Sequence, residues 1–369
     1  MEWYWILSVL LGSILFLMFV GVPIGIAFIL VNSIAAFFLY GRFGTFDANV
    51  SASIEQLTDN TFSNLAIFAI VPIPMFLLMG ELFFHSGLAK RMFDAIENLM
   101  GSTPARLSYV TVAGGTAFAT LSGSSMGSTA LLGTLMVPEM QQRGYDKSMS
   151  IGPILGTGGL AMLIPPSALA VLLGTLAELD IGKLLIAGVI PGLILAVMYA
   201  GLIYIRVTIN PSLAPTYPVE KISWALKLKY LLVDVVPMVS VIFLVILLIM
   251  FGVATPSESA AYGSVGVIIL SFIYLFFIPL IKGDYEKVKI FWPNFCHAMW
   301  KSMWGASRVT IIALMILFGS SLFSNVLAGS GASVKLIEWV TSFDITGLGM
   351  LLVMFVILLF LGMFMDQLA

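Results

Sequence analysis

The chain has 369 residues, 60% of them hydrophobic and only 10% charged, and its mean hydropathy is +1.07. A soluble domain is about a quarter charged, so the composition excludes an ordinary soluble fold and predicts an all-α polytopic membrane protein. A net charge of −2 points to no nucleic-acid partner, and a single cysteine, Cys296, excludes an internal disulfide framework and a CxxC metal site.

In chain order, apolar runs at Trp3–Val20 and Ile24–Tyr40 flank Gly21-Val22-Pro23. Each is near the lower length limit for a span, and together they predict two helices joined by a tight turn. No basic residue precedes the first run, which argues against a cleaved signal peptide. Thr45–Asn60 carries Asp47, Glu55 and Asp59 with Phe46, Val50, Ile54 and Leu57 at helical spacing, the pattern of an interfacial helix. Phe62–Phe84 predicts a span bent at Pro72 and Pro74, followed by a loop holding Lys90, Arg91, Asp94, Glu97 and Arg106.

Leu107–Met140 contains Ser122-Gly123-Ser124-Ser125 near its middle and has basic residues beyond both ends, so it predicts a re-entrant hairpin. Met149–Glu178 predicts a span broken near Gly156–Gly159 and again at Pro165-Pro166. Further spans are expected at Leu184–Ile205, Leu231–Phe251, Ser257–Ile281 and Val309–Leu327, with an aromatic amphipathic stretch at Phe291–Arg308 and a last apolar run from Gly347. Breaking a helix in lipid strands backbone N–H and C=O groups, so breaks persist only inside protein or beside a water-filled cavity. One such break reads as a turn in a tight hairpin. Two, closely spaced, point to a site.

The loops near 90–106, 143–147, 206–229 and 282–308 hold most of the 17 Lys and Arg. Placing them all in the cytoplasm satisfies every span if the hairpin enters and leaves on that side, and leaves the N-terminus outside. Met79-Gly80 matches Phe318-Gly319 and Leu121-Ser122-Gly123 matches Phe360-Leu361-Gly362, both at a separation of 239 residues. Five spans precede the second copy, which inverts it, as in secondary transporters. The expected organisation is a first inverted repeat over 1–210 (hairpin 107–140, broken helix 149–178), a cytoplasmic connector over 211–230, and a second repeat over 231–369. By the same spacing a complete second copy would extend past Ala369, so the sequence reads as a fragment stopping inside the second hairpin.

At these residues the sequence resembles a known family. Ala119-Thr120-Leu121-Ser122-Gly123-Ser124-Ser125, Val137-Pro138-Glu139-Met140, Arg143-Gly144-Tyr145, Gly156-Thr157 and Ile164-Pro165-Pro166-Ser167 are similar to the large membrane subunit of tripartite ATP-independent periplasmic (TRAP) transporters. Pro74–Gly80, Thr255–Ala260 and Gly362–Asp366 fit the same family. The resemblance implies an elevator-type, sodium-driven importer of a small organic anion, such as a dicarboxylate or sialic acid. It also implies a small four-helix membrane subunit, a periplasmic substrate-binding protein and the bacterial inner membrane. A stand-alone sodium/dicarboxylate symporter is the alternative.

Na⁺ takes oxygen ligands, and the candidate ion-binding residues are Ser122, Gly123, Ser125, Gly156, Thr157, Gly158, Gly362 and Asp366. Asp366 qualifies as an acid within an apolar run. Helix N-termini attract anions, which makes Ser124, Thr157, Pro166 and Ser167 the candidate substrate contacts. Two other classes fit less well. A serine hydrolase needs a base within hydrogen-bond reach of its nucleophile, and His85 and His297 are expected near the cytoplasmic surface. An open channel does not call for an inverted repeat of partial hairpins. No P-loop is present, so this chain does not hydrolyse ATP by that route.

Overall fold

The computed structural model describes residues 2–40, 50–51, 54–55, 58, 70–217, 222–343 and 346–364, and all regular structure among them is helical. The interfacial helix expected over Thr45–Asn60 falls largely outside these residues. Among the described residues four helices are long and apolar enough to cross a bilayer: Ile181–Ile209, Trp224–Met250, Pro256–Ile281 and Phe291–Gly329. Trp3–Phe19, Ile24–Tyr40 and Gly347–Phe364 are shorter apolar helices. The chain is an all-α polytopic membrane protein.

Packing divides it into two compact units, Met1–Phe68 with Ile311–Ala369, and Ala69–Thr310. In the first, α1 (Trp3–Phe19) and α2 (Ile24–Tyr40) turn about Gly21-Val22-Pro23 as expected. Leu10, Ile14, Val31 and Ala36 form a buried core with Val326. The buried Asn32 donates its side-chain amide to the carbonyl of Gly319 at 2.9 Å.

The second unit begins with α3 (Pro72–His85). Pro72 occupies the start of the helix, where its missing N–H would be unsatisfied anyway. Residues 61–69, which precede the expected bend at Pro72, lie outside the described residues; α3 runs helically through Pro74, and a 65° bend separates it from α4 (Leu88–Met100), at Gly87 with φ +80°. The loop expected over Lys90–Glu97 is α4 itself. Leu88, Ala89, Met92, Phe93, Ala95 and Ile96 make its buried stripe, with Lys90 and Asp94 exposed opposite.

Helices α5 (Arg106–Ser122) and α6 (Ser125–Gln142) form the predicted hairpin. Helix α7 (Lys147–Leu160) packs against both of its arms. The break expected at Gly156–Gly159 is absent, because α7 runs helically through those glycines. The chain leaves the helix only over 161–167, where Pro165 and Pro166 supply no N–H. Helix α8 (Ala168–Leu176) resumes, followed by α9 (Ile181–Ile209), the turn Pro211–Leu213, α10 (Trp224–Met250) and α11 (Pro256–Ile281). A capping box between Thr255 and Glu258 starts α11. Short α12 (Tyr285–Lys289) precedes α13 (Phe291–Gly329), a single helix of 39 residues. The boundary expected between an amphipathic stretch and a span near Arg308 is not there. Helices α14 (Ala332–Thr341) and α15 (Gly347–Phe364) are the last among the described residues.

Candidate functional site

The hairpin turns at Gly123, whose φ of +57° is the left-handed conformation glycine adopts without Cβ strain. Ser124 then caps α6, its hydroxyl accepting from the N–H of Gly127 at 3.2 Å. The second break ends the same way. Ser167, fully buried, caps α8 and accepts from the N–H of Ala170 at 3.2 Å. The two caps share one extended backbone conformation, φ −127°, ψ 116° at Ser124 and φ −120°, ψ 115° at Ser167.

The two turns touch. A Cβ on Gly123 would lie 3.2 Å from both the Pro166 carbonyl oxygen and the Ala168 nitrogen. The C-terminus of α5, the N-terminus of α6, the carbonyl-rich turn 161–167 and the N-terminus of α8 therefore converge. Helix C-termini leave carbonyls unmatched and N-termini leave N–H groups unmatched, so one small volume offers oxygen donors to a cation and N–H dipoles to an anion.

Two further helices close on this point. Gly80 of α3 lies against the backbone of Ser122, and a Cβ there would overlap the Ser122 Cα. Gly158 of α7 lies against Thr129, and a Cβ there would be 3.4 Å from the Ser125 carbonyl. Around the tip the hydroxyls bond among themselves. Ser122 Oγ and Ser128 Oγ are 2.6 Å apart, and Ser128 also donates to the Ser124 carbonyl at 2.8 Å. Ser128, fully buried, was not among the sequence candidates. Its spacing of four from Ser124 on a helix is the signal that marks it.

Of the residues predicted from sequence, Ser122, Gly123, Ser124, Ser125, Gly158, Pro166 and Ser167 come together. Thr157 is fully buried but its hydroxyl bonds the Pro153 carbonyl at 2.7 Å within its own helix, and it packs on Gly115. Gly156 faces away from the hairpin, toward the Tyr199 ring of α9. Gly362 lies in α15, in the other unit, and Asp366 is outside the described residues.

The base of the hairpin is held by charge. Arg106, 4% exposed, donates to the Glu97 carbonyl at 2.6 and 2.9 Å and pairs with the Glu97 carboxylate at 3.3 Å. Arg143 pairs with Glu97 and Glu139 and lies 4.1 Å over the Tyr217 ring. Tyr145 closes the turn, accepting from the Leu107 N–H at 3.3 Å, and burial pushes its phenol up to about 12.

The family model for the DctM component of tripartite ATP-independent periplasmic transporters matches residues 11–369. The chain is 29% identical over 318 residues to the C4-dicarboxylate TRAP transporter large permease protein DctM of Pseudomonas aeruginosa, covering 85% of this chain and 69% of that one. It is 26% identical to the isethionate TRAP transporter permease protein DctMQ of Oleidesulfovibrio alaskensis, covering 98% of this chain and about half (52%) of that one. With the ectoine TRAP transporter large permease protein TeaC of Halomonas elongata it shares 27% identity, over 72% of this chain and 59% of that one.

Proposed function

This chain belongs to the DctM family of tripartite ATP-independent periplasmic transporters, and from that premise we propose that it carries a small organic anion across the bacterial inner membrane, driven by sodium, at the hairpin tip. As a permease subunit it is a transporter and not an enzyme. A tripartite system has two further components, which we take to be a small four-helix membrane subunit and a periplasmic binding protein that delivers the substrate.

The observation that carries the reading is the contact of Gly123 with the Pro166–Ala168 turn. It joins two helix breaks, each opening into a serine-capped helix, within one buried volume. Sodium is assigned to the neutral oxygens there: the hydroxyls of Ser122 and Ser125 and the carbonyls of 119–123 and 161–166. Gly158 supports that wall from α7, with Thr157 packed behind it on Gly115 and Gly156 turned toward α9. The substrate carboxylate is assigned to the N-termini of α6 and α8, at Ser124 and Ser167.

The elevator reading, with an inverted repeat, draws support from packing that recurs at nearly the repeat spacing. Within one unit Gly25 of α2 lies against Met315 of α13, its Cβ position 2.9 Å from the Met315 Cβ. Within the other, Gly263 of α11 lies against Met79 of α3 at 2.5 Å from the sulfur. Each repeat thus lends a glycine-bearing helix to the methionine helix of the other. The relatives differ in the substrate each is named for; the anion class follows from the family resemblance and is supported here by the two helix N-termini at the tip.

The test is uptake by the reconstituted complex against a panel of dicarboxylates, sialic acids and sulfonates, with and without a sodium gradient and binding protein. Saturable uptake requiring both supports the reading. Sodium-coupled uptake by this polypeptide with no other protein favours the single-subunit symporter.

A further inference from the structure

A cavity of about 690 Å³ lies in the unit Ala69–Thr310, away from the hairpin tip. Its wall combines the end of α3, the last turns of α11 and the N-terminal face of α13, where Asn294, His297, Ala298 and Lys301 recur at helical spacing. The basic groups around it are His85, Arg91, Lys282, His297 and Lys301, and the acid is Asp284.

These groups are not equivalent. Arg91 is already matched, with its Nε 2.6 Å from Asp234 Oδ1 and its guanidinium 4.5 Å over the Tyr274 ring. Tyr274 in turn donates to the Val233 carbonyl, so the two π-helical turns at Tyr230–Val235 and Ile273–Phe277 are clamped together at one edge of the cavity. His85 pairs with Glu81 at 3.2 Å. Lys282 and Lys301 are exposed and enter no ion pair among the described residues. Beside them stand Ile278, Phe291 and Phe295, the last two rings stacked at 5.4 Å. Two unmatched ammonium groups beside an apolar wall suit a ligand that is anionic at one end and greasy at the other.

The helix that lines the cavity fits such a ligand. The 39 residues of α13 span about 58 Å at 1.5 Å per residue, more than the roughly 45 Å of a whole bilayer with its headgroups. Trp292, Trp300 and Trp304 stand exposed on its N-terminal part, as aromatic side chains do at headgroup level. The geometry points to a binding site for the headgroup of an anionic phospholipid, its phosphate between Lys282 and Lys301 and its glycerol and first methylenes on Ile278, Phe291 and Phe295. Basic cavities between helices at the cytoplasmic surface serve this chemistry in other membrane proteins. Only the choice of the cytoplasmic leaflet rests on the proposed orientation.

The experiment uses the full-length permease with its small subunit in detergent. Thermal stability is titrated with phosphatidylglycerol, phosphatidylcholine, and glycerol phosphate or inorganic phosphate at equal ionic strength. Phosphatidylglycerol should stabilise saturably and phosphatidylcholine should not. In Lys282→Gln/Lys301→Gln the half-saturating concentration of phosphatidylglycerol should rise about tenfold or more. In the charge-matched control Lys229→Gln/Lys289→Gln it should stay within about twofold. Equal saturation in both variants overturns the site, and equal stabilisation by phosphatidylcholine overturns its headgroup selectivity. Free phosphate acting at the same concentration as phosphatidylglycerol overturns the lipid as the source. Failure of sodium-dependent uptake would bear on the hairpin tip alone and leaves this readout unaffected.

Discussion

The hydroxyls of Ser122 and Ser128 meet at 2.6 Å, tying the last residue of the descending hairpin arm to the first turn of the returning one. Its place on the following arm, one turn beyond the tip, suggests that Ser128 contributes little. The contact reverses that expectation. Ser122→Ala and Ser128→Ala should each raise the sodium concentration needed for half-maximal uptake, because each removes one of the buried hydroxyl contacts that hold the tip. A lost buried hydrogen bond of this kind costs about 1 to 3 kcal/mol, roughly a five- to hundredfold change. The double variant should cost less than the two singles added, since both remove one interaction. Strict additivity, or unchanged sodium dependence in both singles, would show the tip to be a packing turn.

Gly80 makes a sharper case. Adding one methyl group at Gly80 sets it against the Ser122 backbone, which cannot swing aside as a side chain does. Gly80→Ala should abolish uptake while the protein still inserts and purifies, whereas Gly133→Ala, with open space at its Cβ position, should be silent. Normal transport by Gly80→Ala would sink the close approach of α3 to the tip.

At the hairpin base, burial separates the two arginines. Arg106 is almost wholly enclosed and Arg143 is 30% exposed. Breaking a buried pair costs about 3 to 5 kcal/mol, while an exposed pair is worth about 1 kcal/mol or less. Arg106→Gln should therefore lower the melting temperature several times further than Arg143→Gln. Equal shifts would mean that Glu97 does not anchor α5 through Arg106.

Tyr145 gives this region an alkaline limit. Its phenol titrates at about 12 in the folded chain against about 10 free, so the folded state favours the neutral form. That contribution is complete below pH 10 and is lost as pH rises toward 12. Thermal stability should fall over that window, and Tyr145→Phe should flatten the fall while lowering stability below it.

Topology is tested by labelling after Cys296, which is exposed, is replaced by serine. A cysteine at Gln142 should react with reagents applied from the cytoplasm and one at Ser342 from the periplasm, both positions being exposed. Both positions labelling from one side would exclude the inverted arrangement.

The hairpin was legible in the sequence because Ser122–Ser125 breaks an apolar run and nothing else there explains four small residues. The break at Pro165-Pro166 was legible for the same reason: proline withholds its N–H. Gly156–Gly159 misled because glycine permits a break without requiring one, and helix α7 keeps those residues so that α6 and α9 can come close. Helix α4 was hidden by its charges, which count against a membrane segment until the spacing of Leu88, Met92, Phe93 and Ile96 is read as a stripe. The continuity of α13 was hidden because a change from amphipathic to apolar composition marks a change of surroundings and not a helix end. The cavity beside Lys282 and Lys301 joins segments distant in the chain, and no local pattern announces it.

Around the tip, glycine hydrogens stand where other sites place side chains, at Gly80, Gly123 and Gly158. Every substitution at those positions adds volume and none removes it, so the mutational tolerance of this centre is one-sided. A neighbouring change cannot compensate, because the opposing atoms at Gly80 and Gly123 are main chain. Laboratory evolution toward a new cargo would then have to proceed through the residues that do carry side chains, Ser124, Ser125 and Thr129, while the glycines stay fixed.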